Sequence, residues 1–102
     1  MKIYDKLVRD RIPEIIENSG NHCEVEVVND DVALEYLYKK LQEEVDELLT
    51  DKNLEEIADI IEVLFAIGEK YGYSEEDILK KRNDKRDKSG GFDDNIILKK
   101  TW

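Results

Sequence analysis

LQEEVDELL (residues 41–49) and, four residues on, LEEIADIIEVLFAI (residues 54–67) decide the fold of this chain. Around the first segment, Leu34, Leu37, Leu41, Val45 and Leu48 recur at spacings of three and four, the period of an amphipathic helix. In the second, Ile57, Ile60, Ile61, Val63, Leu64 and Ile67 make a broader apolar face with the same period. Two helices joined by so short a break are expected to fold back on one another as an antiparallel hairpin.

Helical phase also sorts the acids. Glu44 lies one turn after Leu41 and one turn before Leu48, at the edge of the buried stripe, with Glu47 further along the same flank and Glu43 nearer to solvent. Glu56 precedes Ile60, Val63 and Ile67, and Asp59 precedes Val63 and Ala66, whereas Glu55 and Glu62 fall on the wet face. The hairpin thus aims Glu44, Glu47, Glu56 and Asp59 toward one place. Withdrawing four carboxylates from water without a cation costs several kcal/mol or forces them to take up protons. The ordinary alternative is a solvated acidic face, with Glu56 as the third residue of an Asn53-x-x-Glu56 capping box. Of the two readings, a metal site accounts for both clusters at once. No histidine lies on these helices, which disfavours a di-iron centre, and no Asp-x-Asp-x-Asp-Gly loop suggests a calcium hand. An all-oxygen set suits Mg²⁺, with Mn²⁺ as a substitute, and Mg²⁺ commonly joins protein carboxylates to substrate phosphates.

Outward from the hairpin, the remaining segments read as a mainly α domain spanning 1–102: an antiparallel bundle of about four helices with a small two-stranded β element. Pro13 suits the first turn of a short helix ending near Gly20. CEVEVV, 23–28, alternates apolar and acidic residues and predicts a strand, with NIILK, 95–99, as its partner. Asn29, Asp30 and Asp31 cap a helix reaching about Leu49; after a turn at 50–53 the next runs from Leu54 to about Tyr71, stopped by Gly72. Ser74-x-x-Asp77 opens a fourth helix as a capping box, running to about Asp87.

Composition narrows the function classes. The net charge of -10 is a poor match for nucleic-acid binding, which draws on cationic contacts to phosphate. The charge is unevenly spread: residues 12–79 hold 20 acids and four bases, and the flanks hold 12 bases and six acids. Acidic helices between basic ends suit a small polyanion held through metal on one side and by Lys and Arg on the other. Cys23 and His22 are the only residues of their kinds, which excludes disulfides, Cys/His zinc sites and histidine triads within one chain. With neither a signal-like nor a membrane-spanning apolar run, a cytoplasmic location and no membrane partner are expected.

EExxE followed by ExxD resembles the MazG-like all-α nucleoside triphosphate pyrophosphatases, a superfamily that includes dimeric dUTPases and phosphoribosyl-ATP pyrophosphatase. The opening YDKLVRDRIPEII and the closing KKRNDKRDKSGGF look like a compact branch of it, so the resemblance covers nearly the whole chain. Only eight residues separate Glu47 from Glu56, fewer than is usual in MazG itself. The resemblance implies hydrolysis of a nucleoside triphosphate, non-standard or surplus, between its α and β phosphates. It places metal binding on Glu44, Glu47, Glu56 and Asp59, and catalysis on Glu43, Glu44 and Glu47, with Glu43 orienting the attacking water. Substrate binding falls on Lys6, Arg9, Arg82, Asn83, Lys85, Arg86 and Lys88, with Arg11 and Gly90-Gly91 as further candidates. The bland reading of those cations is a solvated helix end or pairing with surface acids. The wide apolar face of the third helix suggests a homo-oligomer, and the resemblance implies a homodimer or homotetramer. Phosphoribosyl-ATP hydrolysis and a non-catalytic oligomerisation module stand as the alternatives.

Overall fold

The computed structural model describes residues 1–102 and is mainly helical. Its helices are α1 (Ile12–Asn18), α2 (Asp30–Asp51), α3 (Leu54–Lys70) and α4 (Glu75–Ser89). The caps expected at Asn29 and Ser74 form, and Asn53 caps α3 as well. Asn29 Oδ1 accepts from Val32 N at 2.9 Å, Asn53 Oδ1 from Glu56 N at 3.1 Å, and Ser74 and Asp77 bond reciprocally at 3.1 and 2.9 Å. At the far end of α3, Tyr73 N–H donates to Gly68 O and Gly72 N–H to Glu69 O, a Schellman stop that needs the left-handed backbone of Gly72.

α2 runs two residues past the expected end. Only Lys52 and Asn53 join it to α3, and Lys52 makes the reversal in a left-handed conformation, φ 54°. The two helices lie antiparallel. Lys70 Nζ donates to Asp30 Oδ1 at 2.9 Å, and the hydroxyls of Tyr38 and Tyr71 lie 2.6 Å apart, closing the end of the hairpin away from the turn. Between those ends, Leu37, Val63 and Ile67 are buried together, with Leu7, Leu34, Leu41 and Ala66 packed against them. Leu7 matters for the site, because it draws residues 1–11 across the hairpin. Tyr36 Oη donates to Asp5 Oδ1 at 2.7 Å and holds the same segment down.

The β element does not form. Residues 23–28 and 95–99 are both without strand structure. Val25, Val27, Ile96, Ile97 and Leu98 are exposed, and Asn95 takes a left-handed φ of 56° that breaks extended backbone at the first residue of the second segment. An isolated two-stranded pair gains too little burial to hold itself together. Of the alternating apolar face of CEVEVV only Cys23 is partly covered, its thiol 3.9 Å from Pro13 O of α1.

α4 packs only on α3, among the helices, and its one half-buried residue is Ile78. That residue sits over Gly68, where a Cβ would meet Ile78 Cδ1 at 2.5 Å and push the tip of that side chain aside. Leu54, Ile57, Ile61 and Leu64 remain exposed along α3. The molecule measures 60 × 32 × 24 Å, and no helix is long and apolar enough to cross a membrane.

Candidate metal centre

The turn end of the hairpin brings the acids of both helices together. Ligand oxygens of Glu44, Glu56 and Asp59 all lie within 4.8 Å of one another, as do those of Glu43, Glu44 and Glu47. Glu44 belongs to both groups. It is 5% exposed and Glu56 is 8% exposed, and in each residue Oε2 has no hydrogen-bond partner. Glu43, Glu47 and Asp59 are half-buried. Glu43, expected nearer to solvent, keeps 39% of its side chain exposed against 7% for Glu44, and Lys40 Nζ lies 3.7 Å from Glu43 Oε1 and 3.4 Å from Glu44 Oε1.

The capping-box alternative for Glu56 fails on this geometry. Asn53 accepts from the Glu56 amide, but the Glu56 side chain makes no return bond and turns into the hairpin. Burial pushes the Glu56 carboxyl up to about 7, and the neighbouring Glu47, Asp51 and Glu44 charges push the same way. Glu44 is raised above the usual carboxylate range by burial and by Glu47, with Lys40 opposing. Such groups are short of positive charge. Two buried oxygens without partners, in an all-carboxylate set with no histidine or thiol, fit a hard divalent cation.

The expected cations divide. Arg9 Nη2 donates to Asp59 Oδ1 at 2.8 Å, so the amino-terminal segment reaches the cluster itself. Arg11 pairs instead with Glu14 on α1 at 3.2 Å. Lys6 lines a cleft beside Glu43. Arg82, Asn83, Lys85, Arg86 and Lys88 are exposed on α4, with Arg82 Nε donating to Asn83 Oδ1 at 2.9 Å. That helix meets α3 at Gly68, roughly 13 Å along the axis from Asp59. Within one chain no ion pair joins those residues to the acids. Gly90 ends α4, its N–H on Arg86 O at 2.8 Å, so its left-handed φ serves the helix stop.

Sequence phase missed Lys40, although its spacing of four from Glu44 is a recognisable helix ion pair. No family model, curated protein or solved structure matches the chain.

Proposed function

We propose that this chain is a Mg²⁺-dependent nucleotide pyrophosphohydrolase of the MazG-like kind, cleaving a nucleoside triphosphate to the monophosphate and pyrophosphate. One observation carries the reading: Glu44 and Glu56 are buried with unpartnered oxygens in the same cluster as Asp59. A structural salt-bridge network would spend those oxygens on cations of the chain, and a solvated acidic face would leave them wet.

Glu44, Glu56 and Asp59 would hold the cation, with Glu47 beside them as a further ligand; a Mg²⁺ ion there would supply charge neutralisation for phosphate and a more acidic water. The water oxygen bonds to the α phosphorus, the bond from that phosphorus to the bridging oxygen breaks, and pyrophosphate leaves. Glu43, half-buried beside Glu44, takes the proton lost by the water. Arg9 exchanges Asp59 for phosphate as the substrate arrives.

The functional unit is a homo-oligomer. Ala33, Leu37, Val63 and Ile67 are the only buried apolar residues, too small a core for 102 residues, while Leu54, Ile57, Ile61 and Leu64 line one exposed side of α3. A second copy covers that side and offers a route for the basic residues of α4 to reach a neighbouring cluster.

The test is pyrophosphate release from a panel of nucleoside triphosphates. It should require Mg²⁺ or Mn²⁺ and stop with EDTA; release of inorganic phosphate alone would contradict the reading.

A further inference from the structure

Lys40 stands between the carboxylate cluster and a cleft. Its side chain is 20% exposed, and its contacts to Glu44 and Glu43, at 3.4 and 3.7 Å, are longer than a charge-assisted hydrogen bond of about 2.7–2.9 Å. The ammonium is attracted to these acids without being locked to either. It also lines a cleft of about 70 Å³ between the amino-terminal segment and α2, together with Lys6, Lys39, Tyr36, Asp5 and Glu43. One water needs roughly 10–15 Å³ of such space, so several phosphate oxygens fit.

The cleft is locally cationic in an acidic chain. Three lysines face two carboxylates, and Asp5 is already engaged by the Tyr36 hydroxyl at 2.7 Å. Lys6 and Lys39 make no ion pair and rest on the rings of Tyr4 and Tyr36, at 5.2 and 5.0 Å. A cleft with unpaired ammonium groups, next to a cluster with unpartnered carboxylate oxygens, is complementary to an anion that carries its own divalent cation.

We propose that Lys40 binds phosphate, and that the cleft beside it takes the pyrophosphate end of the substrate. This rests on the function proposed above. A cation seated on Glu44 takes over the role that the ammonium fills in its absence, and the two positive charges repel. Lys40 then turns on its flexible stem to the cleft, where a phosphate oxygen replaces the lost carboxylate. Metal and pyrophosphate therefore bind with positive coupling.

Calorimetry separates the two claims. Mg²⁺ and then inorganic pyrophosphate are titrated into the full chain and into Lys40→Met, Lys40→Arg and the charge-matched control Lys80→Met, with circular dichroism to confirm folding. Lys40→Met should bind Mg²⁺ at least as tightly as wild type, yet lose about tenfold or more in pyrophosphate affinity at saturating Mg²⁺; Lys40→Arg should restore much of it, and Lys80→Met should behave as wild type. A lysine that serves only as counter-ion to Glu44 would leave pyrophosphate affinity unchanged once Mg²⁺ is bound. Mg²⁺ binding with unchanged pyrophosphate affinity in Lys40→Met would overturn the lysine's role alone. Absence of Mg²⁺ binding by the wild type would overturn both.

Discussion

Arg9 Nη2 lies 2.8 Å from Asp59 Oδ1, so the amino-terminal segment places a cation directly on a carboxylate of the α2–α3 cluster. The pair joins residues 50 positions apart, and Leu7 and Asp5 anchor the same segment to the hairpin. A metal ion bound at the cluster would therefore compete with Arg9 for one side chain. Arg9→Gln should tighten Mg²⁺ binding by about threefold in the absence of nucleotide, the scale of a partly exposed ion pair. Isothermal titration reads this directly, and weaker Mg²⁺ binding in the variant would assign Arg9 a supporting role instead.

Metal binding should also stabilise the fold, because only the folded hairpin assembles Glu44, Glu56 and Asp59. Saturating Mg²⁺ is expected to raise the melting temperature of the wild type by several degrees. The double variant Glu44→Gln, Glu56→Gln should melt at the same temperature with and without the ion.

The metal-free protein should lose stability as pH rises from about 5 to 8. The sign follows from Glu56, whose folded pKa is raised to about 7. Between its unfolded value near 4.3 and pH 7 the unfolded chain releases the proton while the folded chain largely retains it, so deprotonation favours unfolding, and the penalty is nearly complete by about pH 8. Glu44, raised in the same direction, adds to it. Glu56→Gln should flatten this slope in urea titrations at a series of pH values, and Mg²⁺ should oppose it in the wild type.

The exposed stripe of α3 predicts self-association. Ile61→Glu puts a charge in the middle of Leu54, Ile57 and Leu64. Sedimentation velocity should show the wild type as an oligomer and the variant shifted toward monomer; a monomeric wild type would leave the stripe without its proposed occupant.

Lys52 makes the α2–α3 turn at a positive φ, where a side chain crowds the backbone. Lys52→Gly should therefore stabilise the hairpin by about 0.5–1 kcal/mol, the strain relieved exceeding the added unfolded-state entropy. Urea unfolding of the two proteins measures the difference.

The sequence made the hairpin legible because apolar period, cap residues and a short break all agree there. The Asn29 and Ser74 caps follow from side-chain chemistry within one turn and form as expected, and Asn53, offered only as half of a capping box, caps α3 without the return bond. Phase around one helix was enough to turn Glu44 and Glu56 inward and leave Glu55 and Glu62 exposed. The β element failed because period two in CEVEVV describes a face but supplies no neighbour to bury it. Arg9 on Asp59 was illegible for a related reason: the contact depends on where Leu7 docks, which no local pattern encodes. Lys40 was legible from its spacing of four to Glu44, the ordinary separation of a helix ion pair.

In the proposed function, the carboxylates of the hairpin cleave a nucleotide between its α and β phosphates. Phosphorus NMR of nucleoside triphosphate incubated with Mg²⁺ and the protein, compared across wild type, Glu44→Gln and Asp59→Asn, tests it most directly. Monophosphate and pyrophosphate should accumulate with the wild type and fall by at least about a hundredfold in rate with either variant. Wild-type turnover in both variants, or no product from any nucleotide with the wild type, would contradict it.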